Sequence, residues 1–333
     1  MPLTARLVPR LIARLAAVAL AAMGVIGADR PRAEAQPYPA RPVTIVVPFA
    51  AGGNTDNIAR LVAQRLGEKS GQQFIVEDRP GAAGAIAAEF VARAPPDGYT
   101  LLMSAVPQIA IVPAMQKTQY TPKDFAPISA IGTNPFVLAV NKDLPVRTIA
   151  ELVAYVRARP GAVSYASGGV GSLNHLGMAL FLQRAALEMI HVGYKGNAPA
   201  MYDVVAGNVP VILSTLPDAL PHAAAGAIRI IGVSSEERVA QIPDVPTIAE
   251  SGFPQLKVLT WNGLLAPSRT PPAIIERLAK QCAEAVDDPR FRQRLAGFGV
   301  DPLGNSPAAF ADMIAADIAF WSEAVRITGL SGR

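Results

Sequence analysis

At 333 residues the chain is long enough for two domains of ordinary size, and a composition that is 51% apolar can fill both cores. The pI of 9.3 suggests an acidic partner, yet residues 1–35 hold five arginines against two acids and leave 25 basic and 24 acidic residues beyond, which excludes the basic face that nucleic acid requires. The single cysteine, Cys282, excludes an intramolecular disulfide, and the three histidines (His175, His191 and His222) lack both metal-ligand spacing and an HExxH pattern.

In chain order, Arg6, Arg10 and Arg14 precede an apolar run at 15–28, and Ala33-Glu34-Ala35 then supplies small residues at signal-peptidase spacing. The run is shorter than the ~20 apolar residues of a spanning helix. This predicts an export signal at 1–35, cleaved after about Ala35, and a soluble, exported protein. Cys282 lies too far from this leader to serve as an acylated lipoprotein anchor.

The next stretch, VTIVVPFAAGGNTDNIA at 43–59, organises the rest of the chain. Its β-branched start reads as a buried strand closed by Pro48, after which Ala51, Gly52 and Gly53 let the backbone turn and Asn54, Thr55 and Asp56 can cap a helix. A strand that turns through glycines into a helix aims several backbone N–H groups into one space, where the helix dipole favours an anion. The loop holds no Lys or Arg, so N–H groups and hydroxyls would do the neutralising, which suits a carboxylate at least as well as a phosphate. Turns of this kind also serve packing alone.

Strand and helix then alternate. A helix at about 56–70 closes at Gly71, a strand comes next at 74–77, and an alanine-rich helix at 82–94 stops at Pro95-Pro96. Further strands are predicted at 99–104 and 136–140, the latter leading into Asn141-Lys142-Asp143, which gives one sheet with crossover helices. A second series opens at Thr148, with Glu151 at capping-box spacing. It repeats the glycine device. A short strand at 163–166 leads into Ser167-Gly168-Gly169-Val170-Gly171-Ser172 and a helix at 173–186; another at 189–192 leads into Gly193-Tyr194-Lys195-Gly196-Asn197, with Pro199 in an early helical position. Strands at 209–213, ending in Ser214-Thr215, and at 228–233 complete this unit.

The chain returns to the first unit at 258–265, and Thr270-Pro271 and Ser306-Pro307 open two amphipathic helices, the later carrying Phe310, Ile314, Ile318 and Trp321. The expected fold is α/β with two domains: 36–141 with 262–333 as a discontinuous first domain, and 142–261 as the second. Two crossing segments of this kind let lobes hinge over a ligand.

Enzyme motifs are scarce. There is no GxSxG elbow and no GxxxxGK[ST] phosphate loop, and the Gly169-Val170-Gly171 run reaches Asn174 where a dinucleotide fingerprint needs glycine. The remaining enzyme reading is a secreted hydrolase using Ser172 and His175, whose spacing is equally that of ordinary anion coordination.

The segments VPFAAGGNTDNIAR, VEDRPGAAGAIAAEFVA, PDGYTLL, SYASGGVGSLNHL, GYKGNAPAMYDVVAGNV, IPDVPTIAESGFP and WNGLLAPSRTPPAIIERL resemble, in order and across essentially all of the chain beyond the leader, the substrate receptors of tripartite tricarboxylate transporters, the Bug (Bordetella uptake gene) or TctC type. The resemblance implies a two-lobed periplasmic binding protein of type II-like fold, monomeric and without cofactor or metal. It would capture a small organic acid and deliver it to membrane permease subunits, or, when loaded, signal to a membrane sensor.

The resemblance places Phe49, Ala51, Gly53, Asn54 and Asp56 at the cleft, with Ser167, Gly171, Ser172 and His175 facing the same carboxylate from the second lobe. It adds Ser104, Ala105 and Gln108 after one strand, Tyr194, Lys195 and Gly196 as a third contact loop, and Ser214, Thr215 and Asp218 as a fourth. Ser214 stands where relatives often carry an aspartate, which argues against recognition of a ligand amino group at that position. Each residue also has a plainer role open to it. His175 can bond a loop carbonyl, Asp56 can serve the helix start, Lys195 can be a solvated surface charge instead of the partner of a distal carboxylate, and Trp261 can pack at the hinge instead of lining the cleft.

Overall fold

The computed structural model describes residues 38–254 and 256–330; the export signal expected at 1–35 lies outside them. Strand β1 (Val43–Val47) buries every side chain except that of Thr44 and runs parallel to β2 (Phe74–Asp78) and β3 (Thr100–Ala105). Parallel neighbours need crossovers. These are α1 (Asn54–Ser70) and α2 (Ala85–Ala92), the first ended by Gly71, whose left-handed φ of 71° lets its N–H reach the Gly67 carbonyl at 3.0 Å.

Strand β4 (Phe125–Asn141) is far longer than the 136–140 segment that the sequence suggests. Pro127, Gly132 and Pro135 disguise its first part, and the fold absorbs the irregularity with register shifts at Pro127/Ser129 and Ala130/Gly132. Over 125–135 it pairs antiparallel with β9 (Leu259–Pro267), itself antiparallel to β3. From Phe136 onward it changes partners to β7 (Val211–Thr215) and β8 (Ile228–Val233). One strand thus belongs to two lobes.

The second lobe adds β5 (Ser164–Ser167), parallel to both β7 and β6 (Ile190–Gly193). The strand order is β2-β1-β3-β9-β4-β7-β5-β6, with β8 and the short β10 (Asp301–Pro302) also on β4. Helices α3 (Ile149–Arg157), α4 (Leu173–Ala185), α5 (Asn197–Val205) and α6 (Leu216–Ala224) serve this lobe, and α7 (Pro272–Asp287), α8 (Pro289–Gly297) and α9 (Pro307–Thr328) close the chain.

Ser306 caps α9 as its sequence suggests, accepting from the Ala309 N–H at 3.2 Å. Thr270 does not cap α7: the cap position falls on Pro271 and Thr270 is buried. Trp261 packs edge-on against Phe310, 4.9 Å between ring centroids, and donates its indole N–H to Asp317 Oδ2 at 2.6 Å. Behind it Gly263 is obligatory, since a Cβ there would lie 2.2 Å from Phe310 Cζ. Trp261 is a packing residue at the crossing of the lobes.

Candidate functional site

The loop after β1 delivers α1 with Gly53 at the cap position in extended conformation and no side chain bonded there. Its first-turn N–H groups are therefore left for another acceptor. Asp56 does not fill that role. Its Oδ2 accepts from the Gly52 N–H at 2.8 Å and its Oδ1 lies 2.8 Å from Arg60 Nε, while Arg60 also reaches Asp78 at 3.2 Å, so the carboxylate clasps the loop from behind.

The glycine loop of the second lobe is held from within. Ser172 Oγ donates to the Gly169 carbonyl at 2.5 Å and accepts from the His175 backbone N–H at 3.4 Å, which caps α4; Asn174 Oδ1 accepts from the Gly168 N–H at 3.1 Å. Gly169 sits at φ 113°, and a Cβ there would come within 2.8 Å of the Tyr194 carbonyl. Ser167 Oγ holds the loop from its base, accepting from the Gly169 N–H at 3.1 Å and lying 2.5 Å from His191 Nε2. The His191 ring stacks on His175 at 4.1 Å, and burial pushes the His191 pKa down.

Two further helices begin at the same place, α5 after Gly196 and α6 after Thr215, whose Oγ accepts from the Asp218 N–H at 3.4 Å. Between all four helix starts lies a cavity of about 530 Å³, counting the part open to solvent. Gly53, Asn54 and Thr55 line it from α1; Gly168, Ser172, Leu173 and Asn174 from α4 and its loop; Asn197 from α5; Thr215 and Asp218 from α6. Phe49, Ala50, Ala105, Pro107, Phe136 and Thr260 supply the remaining wall. Among the described residues no Lys, Arg or His lines this cavity, and Asp218 is the only charged one that does.

Amides connect the wall. Asn54 Nδ2 donates to Asn134 Oδ1 at 2.9 Å, and Asn174 Nδ2 donates to Asn197 Oδ1 at 3.0 Å. Asn197 Nδ2 in turn reaches Ser214 Oγ at 2.8 Å and Asp218 Oδ2 at 2.5 Å. Burial raises the Asp218 pKa, while bonds from Asn197, Thr215 and the Asn54 backbone N–H pull it back.

Of the residues expected at the cleft, the cavity collects Phe49, Gly53, Asn54, Ala105, Ser172, Thr215 and Asp218. The others stand around it. Ala51 is exposed on its loop, as is Lys195. Gln108 sits beneath, its Oε1 accepting from the Ala105 N–H at 3.0 Å and from Ser104 Oγ at 3.4 Å, its Nε2 donating to the Ala83 carbonyl at 2.8 Å. Tyr194 donates to Asp203 Oδ2 at 2.5 Å; burial, and then this bond, raise its phenol to about 12. Gly196 backs onto the first loop, a Cβ there falling 3.2 Å from Ala50 N, and the Cα of Gly171 faces Val112, Met115 and Ala83. His175 lies behind its loop, its Nδ1 accepting from the Gly171 N–H at 3.4 Å.

Asn174, early in a predicted helix, and Asn197, at the end of a glycine loop, are given no role by the sequence, whereas Phe136 and Thr260 reach the cavity from the crossing strands and carry no local signal. Chemically, the site offers N–H groups, amides and hydroxyls to one acceptor-rich ligand. Among the described residues no group of three or more His, Cys, Asp or Glu is placed to hold a metal ion, and no helix is long and apolar enough to cross a membrane.

Residues 58–330 match the family model described as the tripartite tricarboxylate transporter family receptor. The chain is 35% identical over 298 residues to protein BugT of Bordetella pertussis, covering 89% of this chain and 91% of that one. Its structure superposes on Rpa4515 of R. palustris with adipate (TM-score 0.85, 36% identity, 88% of this chain and 98% of that one). It likewise superposes on MatC (Rpa3494) of Rhodopseudomonas palustris with bound malate (TM-score 0.83, 31% identity, 86% of this chain and 100% of that one). With its α/β lobes, its cation-free cavity and this match along most of its length, the chain belongs to the receptor family of the tripartite tricarboxylate transporters.

Proposed function

We propose that this receptor holds a small organic acid by one carboxylate between its lobes and hands it to the membrane subunits of a tripartite tricarboxylate-type transporter. The observation that carries the reading is the convergence of four helix N-termini on a cavity of about 530 Å³ that no cation lines among the described residues. Each such terminus is worth about +0.5 of a charge, so an anion can be neutralised there by backbone and hydroxyl groups alone. The adipate and malate of the two R. palustris structures are small organic acids of the class proposed.

In this reading the lobes part where β4 exchanges partners, between Pro135 and Phe136, and where the chain enters β9 at Leu259. The boundaries then fall at these crossings, near the 141 and 261 expected from the sequence. The leader is removed after about Ala35, and the mature protein works in the periplasm as a monomer without catalysis.

Native mass spectrometry of the mature protein as purified, followed by release of its bound molecule, tests the reading. An organic acid released intact, able to raise the melting temperature when added back, is the expected result. A covalent acyl adduct, or acids and esters returned chemically altered, would overturn it in favour of a hydrolase.

A further inference from the structure

We infer that Asp218 restricts the ligand to a single ionised carboxylate and selects a far end that donates a hydrogen bond, a hydroxyl or ammonium group, over a second carboxylate. The inference rests on the receptor reading and names the substrate class of the same cavity. Four helix N-termini at about +0.5 each offer roughly two positive charges in all. Asp218 already uses about half of that. Its carboxylate faces the Asn54 backbone N–H at the start of α1, accepts from the side chain of Asn197 at the start of α5, and sits in the first turn of α6.

The α4 end carries no carboxylate of its own: its cap is the Ser172 hydroxyl, and Ser172, Leu173 and Asn174 line the cavity there, with Asn174 tied to Asp218 only through the Asn197 amide. That end suits one ligand carboxylate. A second carboxylate would be directed toward Asp218 with no cation in the lining to separate the two charges, since Lys195 is exposed and Arg60 is engaged by Asp56 and Asp78. With three donors on a group that can accept about four hydrogen bonds, Asp218 has capacity left for a donor on the ligand. Burial favours its neutral form as well, so acid conditions should relax the restriction.

A second cavity adjoins the first through these residues: Asn54 and Asp218 line both, and Tyr202, His222 and Asn57 line only the further one. The imidazole of His222 thus stands on the far side of the carboxylate, where it stabilises the ionised form without reaching the ligand cavity.

The test is calorimetric titration of the mature wild-type protein at pH 7.5 with matched straight-chain acids of three to eight carbons. Each length is taken as the plain monocarboxylate, the ω-hydroxy acid, the ω-amino acid and the dicarboxylate. At the length that binds best, the ω-hydroxy or ω-amino acid should bind at least tenfold more tightly than the dicarboxylate. In Asp218→Asn the dicarboxylate should gain at least tenfold relative to both. A dicarboxylate that matches or exceeds its partners in the wild type overturns the inference, as does an unchanged ratio in the variant. If the variant does not fold, the wild-type ratio stands as the test, together with a relative gain for the dicarboxylate between pH 7.5 and 5. Binding of any acid with the wrong order removes only this inference; failure of every acid, including an added aromatic set, removes the receptor reading.

Discussion

Ser167 Oγ lies 2.5 Å from Nε2 of His191, and the His191 ring stacks on His175 at 4.1 Å behind the glycine loop that opens α4. The contact joins β5 to β6 beneath the ligand cavity, so it bears on how firmly that loop is held.

The first prediction concerns pH. Burial depresses the His191 pKa below its unfolded value near 6.5. A base whose folded pKa is depressed contributes stability that is present above about pH 6.5 and lost as pH falls through the folded value. Melting temperature should therefore decline more steeply below pH 6.5 in the wild type than in His191→Gln, as differential scanning fluorimetry between pH 7.5 and 4.5 would show.

Asp317 gives the opposite sign. Burial raises its pKa even though the Trp261 N–H bond favours the charge, so its contribution is fully present below the unfolded pKa and is lost as pH rises through the folded one. Asp317→Asn keeps an acceptor for the indole and should flatten this dependence, with little change at acid pH and a gain in stability near neutral pH. Asp317→Ala strands the buried N–H and should cost about 1–3 kcal/mol in urea unfolding.

Gly53 separates folding from binding. A Cβ there would meet only Ala50 O at 3.8 Å and Ala198 Cβ at 3.9 Å, which are ordinary contacts. Gly53→Ala should fold normally, whereas the branched side chain of Gly53→Val enters the cavity and should weaken binding of the released acid at least tenfold. Ser172→Val should weaken binding similarly and also lose about 1 kcal/mol with the helix cap. Unchanged affinity in both valine variants would remove the convergent-loop model.

Asn197 ties three partners at once, Asn174, Ser214 and Asp218. Asn197→Ala should lower stability by about 1–3 kcal/mol, because it leaves buried polar groups unpaired. It should also loosen both glycine loops, which binding titration of the same protein would register as weaker affinity.

The two glycine loops and most strands could be read from the sequence because their signals are local: a β-branched run, then glycines, then a capping residue. The first part of β4 could not, since Pro127, Gly132 and Pro135 argue against a strand unless the compensating bulges are known. The same limit explains the site. Asp56 and Asn54 are near neighbours in sequence, but Arg60, shared with Asp78 of β2, keeps Asp56 buried behind its loop, and Asn134 on the crossing strand fixes the Asn54 amide. Helix starts announce where an anion can sit; which side chains close around it depends on contacts between distant segments.

Because β4 enters the ladders of both lobes as one strand, this crossing is no slack tether between the halves. Closing on a ligand must be taken up as torsion along paired strands at Pro135–Phe136 and at the start of β9. A joint built this way would twist instead of swinging free, and the gap between the lobes would then act as a gauge for the molecule it accepts.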